Sequence, residues 1–274
     1  MKGILIKTVS NHYTVLVGQE SYVCEGRGKL KYDKLRPKVG DIVEIDENHR
    51  ITNILSRKNE LVRPMVANVD QAYVITSVKH PDLDLYLLDK LLLLIHFEGI
   101  EPIICFTKID LLNEQEKEEI LKLKKYYKKI GYQVYTNEEI MEIKETFKNK
   151  IGVFTGQTGA GKSTLLNRID SSLHLATNEI SYALNRGKNT TTHVELLHLC
   201  GGWIADSPGF SDIELSLTNE EIEKQMIEFQ EYKDKCQYRD CTHSHETDCE
   251  VRRQVEKGNI LKSRYDHYLK FISR

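Results

Sequence analysis

Residues 156–163 read Gly-Gln-Thr-Gly-Ala-Gly-Lys-Ser, which matches the phosphate-loop pattern G-x-x-x-x-G-K-[ST]. A strand-like apolar run, residues 151–154, precedes them, and a helix-like run, residues 164–167, follows them, as such a loop requires. In a phosphate loop, backbone N–H groups surround the phosphates, the lysine reaches the outer phosphates and the serine hydroxyl coordinates Mg²⁺. We therefore predict an α/β nucleotide-binding domain. Its predicted phosphate-binding residues are Gly156, Gln157, Thr158, Gly159, Ala160, Gly161, Lys162, Ser163 and Thr164, with Lys162 also catalytic and Ser163 also a Mg²⁺ ligand.

Residues 107–110, Thr-Lys-Ile-Asp, indicate which base is bound, because they resemble the [NT]-K-x-D motif of GTPases. They follow an apolar strand-like run, so we expect them at the carboxyl end of a strand, where ligands of open α/β sheets bind. The Asp110 carboxylate can accept hydrogen bonds from guanine N1–H and from its exocyclic amine, donors that adenine lacks. Lys108 would lay its aliphatic stem along the base, and Thr107 stands where many GTPases have asparagine. The motif predicts binding of GTP and GDP.

A third motif, Asp-Ser-Pro-Gly at residues 206–209, matches D-x-x-G and follows another apolar run. Asp206 can hold Mg²⁺ through water, and the Gly209 N–H can contact the γ-phosphate. Between this motif and the phosphate loop, residues 187–192 read Gly-Lys-Asn-Thr-Thr-Thr, which suits a switch segment that brings a threonine to Mg²⁺. Among the three threonines we favour Thr191 as the Mg²⁺ ligand.

The order of these motifs is unusual, because the base-reading motif comes last in most GTPases and first here. We therefore predict a circularly permuted phosphate-loop GTPase domain. With this order the chain resembles, over essentially its full length, the ribosome small subunit-dependent GTPase family called RsgA or YjeQ. The resemblance implies an N-terminal OB-fold β-barrel, a C-terminal helical zinc-binding module, and action on the small ribosomal subunit late in its assembly. It also implies that the subunit stimulates GTP hydrolysis.

The switch segment departs from the family pattern G-x-H-T-T, because Asn189 occupies the place of the histidine that is proposed to position the attacking water. Phe210 follows the D-x-x-G motif, so the glutamine that orients water in many GTPases is missing too. The Asn189 carboxamide can still orient a water, and we predict Lys162, Asn189 and Thr191 as the catalytic residues. One alternative is a GTP-sensing RNA-binding factor with negligible turnover. A second is an ATPase or small-molecule kinase, against which residues 107–110 argue.

The N-terminal region shows short strand-like runs, separated by glycine and charged turns, at residues 14–17, 21–24, 41–45 and 50–54. This pattern predicts a small closed barrel of the OB type. Residues 1–64 carry 12 Lys and Arg against 8 Asp and Glu, a net charge of +4, with basic residues crowded between Arg27 and Lys38. Such a run is either a solvated loop or an RNA-binding surface, and the predicted barrel favours RNA.

Four residues near the C-terminus, Cys236, Cys241, His243 and Cys249, supply the donors of a closed structural zinc site. A small module with few apolar residues has little core of its own, so Zn²⁺ binding would stabilise it. His245 is the alternative imidazole ligand, and we prefer His243 because it fits the family's spacing. The remaining cysteines lie in apolar runs and are expected in the core; they are Cys24, Cys105 and Cys200.

We place the domain boundaries at residues 1–64 for the barrel, 65–215 for the GTPase domain and 216–274 for the zinc module. Residues 251–274 carry 7 Lys and Arg against 2 Asp and Glu, so this second basic region, which includes Arg264, can meet ribosomal RNA phosphate. The N-terminus lacks a secretory apolar core, and the apolar run at residues 91–95 is far shorter than a bilayer requires. We expect a cytoplasmic monomer whose partners are the small ribosomal subunit and its rRNA, with no membrane contact.

Overall fold

The computed structural model describes residues 1–10, 12–26, 36–61, 65–173, 195–206 and 215–273. The N-terminal strands close into a barrel through the pairings β1–β2, β2–β3, β3–β5, β5–β4 and β4–β1. Their bounds are β1 Lys2–Val9, β2 His12–Val17, β3 Glu20–Gly26, β4 Ile42–Ile45 and β5 Arg50–Ile54. Each strand contributes to the barrel core, which contains Leu5, Val15, Cys24, Val43, Ile45 and Ile51, all of them buried. The OB-type barrel is confirmed.

The central sheet has the spatial order β10-β11-β9-β6-β7-β8. Its strands are β6 Gln71–Ser77, β7 Glu101–Thr107, β8 Gln133–Thr136, β9 Ile151–Thr155, β10 Glu195–Leu199 and β11 Gly202–Asp206. Neighbouring strands are parallel, except that β10 runs antiparallel to β11. Every residue of β6 is buried, as expected for a parallel strand covered on both faces.

Helices cover both faces of this sheet. Helices α1 and α2 pack on one face and α3 and α4 on the other. Their bounds are α1 Leu85–Phe97, α2 Glu114–Lys129, α3 Ile140–Thr146 and α4 Lys162–Ile169. A capping box starts α2, because the Asn113 side chain accepts from Glu116 N–H and the Glu116 side chain accepts from Asn113 N–H.

The permuted order of the motifs is compatible with an ordinary sheet. Strand β7 carries the predicted base-reading residues and precedes β9, which carries the phosphate loop. In the sheet only β6 lies between them, so the carboxyl ends of β7 and β9 open at the same edge. The barrel joins this sheet where Lys7 of β1 pairs with Glu195 of β10, with 2.8 Å between Lys7 Nζ and Glu195 Oε2.

Within residues 215–273 the C-terminal module contains the helices α5 Asn219–Gln225, α6 Glu250–Glu256 and α7 Lys262–Ile272, and turns with a short 3₁₀ helix connect α5 to α6. Its core packs against α1 through Leu93 and includes Ile222, Phe229, Val251, Tyr268 and Phe271. Within the part of the chain that is described, no helix is both long and apolar enough to cross a bilayer. The predicted fold class is confirmed, and the domain boundaries stay a prediction.

Candidate functional site

The phosphate loop connects β9 to α4 and depends on glycine at specific positions. Gly156, Gly159 and Gly161 have φ angles of 127°, 76° and 89°, which residues with a side chain rarely adopt. A Cβ on Gly156 would lie 2.1 Å from the Ile75 carbonyl oxygen, so the loop also needs the space that glycine leaves. These residues turn the chain sharply from the strand into the helix, whose first residue is Lys162.

Lys162 reaches back over the loop. Its Nζ donates to the carbonyl oxygens of Gly156 and Gln157, each at 2.8 Å. Burial lowers the pKa of Lys162, an effect that the negative charge of a phosphate would oppose. Ser163, the predicted Mg²⁺ ligand, is 4% exposed at the start of the same helix.

The predicted base-reading turn is bonded directly to the phosphate loop. Thr107 Oγ1 donates to the Ala160 carbonyl oxygen at 2.5 Å. The next residue, Lys108, has a left-handed backbone with φ of 64°, and its amine contacts the carbonyl oxygen of His80. Asp110 follows in a short 3₁₀ turn and is exposed, so its carboxylate is open to a ligand. Thr107 thus joins the base-reading turn to the phosphate loop.

Asn137 also contacts the base-reading turn, and the sequence analysis missed it. Its Nδ2 donates to Asp110 Oδ1 at 3.5 Å, and its Oδ1 accepts from the Ile109 N–H at 3.3 Å. Asn137 directly follows β8, which lies beside β7, so both residues stand at carboxyl ends of neighbouring parallel strands. Recognising residues 133–136 as a strand would have drawn attention to this polar side chain.

The third motif and the switch segment fall mainly outside the described residues. Asp206 ends β11, which pairs in parallel with β9, so its backbone lies at the edge that carries the phosphate loop. The side chain of Asp206 is not described. Asn189, Thr191, Gly209 and the basic residues from Arg27 to Lys34 also lie outside the described residues.

The predicted zinc ligands form a compact group, here called the Cys₃His cluster: Cys236, Cys241, His243 and Cys249. Their donor atoms all lie within 4.8 Å of one another. His243 Nδ1 lies 3.6 Å from Cys236 Sγ and 3.4 Å from Cys249 Sγ, and those two sulfurs are 4.0 Å apart. A tetrahedral Zn²⁺ with bonds of about 2.3 Å to sulfur holds its sulfur ligands about 3.8 Å apart, so the cluster fits this ion.

The surroundings of the cluster also suit a metal site. The Glu250 N–H donates to Cys236 Sγ at 3.3 Å and the Arg252 N–H to Cys249 Sγ at 3.5 Å, so backbone donors face two of the sulfurs. His243 is 2% exposed, and burial lowers its pKa, which favours the neutral imidazole that binds metal. The alternative ligand, His245, is exposed, and its Nδ1 bonds to Ser244 Oγ at 2.8 Å.

A second buried polar group, here called the Arg264 cluster, joins the module to the central domain: Arg264, Glu228, His267 and Asp89 of α1. Arg264 binds Glu228 through Nε and Nη2, and its Nη1 lies 2.6 Å from Asp89 Oδ1. Asp89 also contacts His267 Nδ1 at 2.6 Å and accepts from the Tyr127 hydroxyl of α2 at 2.7 Å. Arg264 is 2% exposed, so its predicted place in a basic surface for rRNA is wrong.

Comparisons with known proteins agree with this architecture. Residues 51–216 match the family model described as RsgA GTPase, and residues 2–52 match the RsgA N-terminal domain. The chain is 44% identical over 280 residues to the small ribosomal subunit biogenesis GTPase RsgA of Enterococcus faecalis, covering 99% of this chain and 94% of that protein. It is 41% identical over 287 residues to the protein of the same name from Bacillus subtilis, covering 99% and 96%.

Two solved structures share the fold. YloQ, described as a circularly permuted GTPase, is 36% identical with a TM-score of 0.84, and the match covers 99% of this chain and 93% of that one. YjeQ from Thermotoga maritima is 34% identical with a TM-score of 0.85, with coverage of 99% and 97%.

Proposed function

Because this chain belongs to the RsgA GTPase family, we propose that it binds and hydrolyses GTP during late maturation of the small ribosomal subunit. In this proposal, GTP hydrolysis is stimulated when the protein binds the subunit. The observation that carries the site assignment is the 2.5 Å hydrogen bond from Thr107 Oγ1 to the Ala160 carbonyl oxygen. This hydrogen bond supports a single nucleotide site, in which the base contacts Asp110 and the phosphates contact the loop before Lys162. An ATPase or a small-molecule kinase has no use for Asp110 in this position.

The proposed roles follow from chemistry. The phosphate-loop N–H groups and Lys162 hold the phosphates of GTP or GDP, and Ser163 and Thr191 bind Mg²⁺. Asp206 holds the same ion through water, Gly209 contacts the γ-phosphate, and Asn189 orients the attacking water.

The Cys₃His cluster would hold one structural Zn²⁺ through three thiolates and the His243 imidazole, which supports the fold of the module and takes no part in hydrolysis. We propose that the barrel, residues 1–64, and the zinc module, residues 216–274, contact rRNA on either side of the GTPase domain, residues 65–215. The partner is the small subunit, so we place the protein in the cytoplasm, and we propose that it acts as a monomer.

The experiment compares hydrolysis of GTP and ATP by the full-length protein, with and without purified small subunits. We expect GTP to be preferred over ATP by at least about a hundredfold, because adenine lacks the donors that the Asp110 carboxylate would accept from, and we expect subunits to raise kcat for GTP. Equal use of ATP would overturn the guanine assignment. A preference for GTP in binding, with no phosphate release in a single turnover on subunits, would favour the GTP-sensing factor instead.

A further inference from the structure

An ion pair between α2 and the turn after β8 lies beside the proposed guanine site. Glu139 Oε2 accepts from the Thr136 N–H at 2.7 Å and from Thr136 Oγ1 at 3.0 Å, and it also contacts the amine of Lys124. The side chains of Lys124 and Glu139 are 13% and 28% exposed. Burial by itself would raise the pKa of Glu139, but the bonds from Lys124 and Thr136 hold that pKa below its ordinary value. Glu139 is therefore a charged carboxylate at neutral pH, and it holds the turn by accepting a hydrogen bond from its backbone.

The residue after Thr136 is Asn137, which connects this turn to the base-reading aspartate. The Asn137 N–H donates to the Phe106 carbonyl oxygen at 2.8 Å. Its side chain accepts from the Ile109 N–H at 3.3 Å and faces Asp110 Oδ1 at 3.5 Å. A displacement of the turn at Thr136 would move Asn137 and remove hydrogen bonds that set the direction of the Asp110 carboxylate.

Helix α2 is also fixed to the base-reading turn at its other end. It begins after Asn113, three residues beyond Asp110, with the capping box formed by Asn113 and Glu116. Glu116 in turn receives Lys79 Nζ at 2.9 Å on Oε1 and 3.0 Å on Oε2. The helix thus holds the base-reading turn through its N-terminus and the Asn137 turn through Lys124.

We propose that Lys124 and Glu139 are a positioning pair for guanine recognition: they hold the Thr136–Asn137 turn so that Asn137 aims the Asp110 carboxylate at the base edge. The inference rests on the proposed function, since it concerns the same guanine site. Neither side chain has to touch the nucleotide. Their effect passes through two hydrogen-bonded steps, from Glu139 to Thr136 and from Asn137 to Asp110.

The measurement is the affinity of the full-length protein for GDP, inosine diphosphate and ADP, by calorimetry. Inosine diphosphate lacks the exocyclic amine of guanine. The ratio of the affinity for GDP to the affinity for inosine diphosphate, here called the GDP-to-inosine ratio, therefore reports on the direction of the Asp110 carboxylate. We expect Lys124→Ala to weaken the binding of GDP about tenfold and the binding of inosine diphosphate about threefold, which lowers the GDP-to-inosine ratio about threefold. Lys124→Arg should restore it. Lys117→Ala is the control, because Lys117 pairs with Glu114 on the surface of the same helix at 3.0 Å.

Glu139→Gln is the second variant, in case Lys124→Ala does not fold at the assay temperature. It keeps the shape of the side chain and removes its charge, so we expect it to lower the GDP-to-inosine ratio as much as Lys124→Ala does. An equal loss for all three nucleotides would mean that the pair only stabilises the domain, and an unchanged ratio in both variants would also overturn the inference. If the unmutated protein fails to prefer GDP to ADP, the proposed function itself fails.

Discussion

The Cys₃His cluster lies within the C-terminal module, whereas the Arg264 cluster joins that module to α1, and the two clusters differ in where their positive charge comes from. In the first, burial raises the pKa of the Cys241 and Cys249 thiols, so the protein alone does not favour thiolates there. In the second, two buried carboxylates already face the Arg264 guanidinium, and Asp89 also faces His267. The proposed Zn²⁺ would supply the positive charge in the first cluster, whereas the chain itself supplies it in the second.

The largest effect should come from breaking the Cys₃His cluster. Cys249→Ser removes one of three sulfur ligands, and we expect zinc content to fall from about one per chain to near zero. Structural zinc contributes on the order of 10 kcal/mol to the folding of zinc-finger peptides, so the module should lose its cooperative unfolding. Metal analysis and hydrogen exchange measure both effects.

The control for this variant is Cys200→Ser, which changes a half-buried thiol outside the cluster and should keep its zinc. A Cys249→Ser protein that retained one tightly bound zinc would show that the cluster is not the metal site.

A smaller effect should come from the Arg264 cluster. Arg264→Met leaves the Glu228 and Asp89 carboxylates buried without their shared partner, and removing one side of a buried ion pair costs about 3–5 kcal/mol. Zinc content should stay near one per chain, because no metal ligand changes. Urea unfolding gives the loss in free energy, and metal analysis gives the zinc.

The matched control is Arg253→Met on α6, since Arg253 pairs with Asp248 at the surface and exposed pairs contribute about 1 kcal/mol or less. If Arg264→Met lost zinc as completely as Cys249→Ser does, the two clusters would be one cooperative unit.

The two clusters also differ in how well the sequence predicts them. The Cys₃His ligands lie within a short stretch, and their residue types and spacing alone indicate zinc. The phosphate loop was likewise predicted from adjacent residues, since its glycines, lysine and serine stand at fixed spacing.

The Arg264 cluster leaves no such signal, because Arg264 and Asp89 are 175 positions apart. In the sequence Arg264 is one of several basic residues and was assigned to a surface. The packing of α7 against α1 decides that it is buried. Asn137 was missed for the same reason, since its importance depends on β8 lying beside β7.

The smallest effect should come from the hydrogen bond that links α7 to His243 of the Cys₃His cluster. Tyr265, the residue after Arg264, donates its hydroxyl to the His243 carbonyl oxygen at 2.7 Å. Tyr265→Phe removes that donor and should cost about 1 kcal/mol, which corresponds to roughly fivefold faster release of zinc to a chelator. Tyr238→Phe, at an exposed tyrosine of the same module, should leave release unchanged. If Tyr265→Phe lowered the free energy of unfolding as much as Arg264→Met does, Tyr265 and not the metal would order the loop around His243. The contrast between the two clusters would then fail.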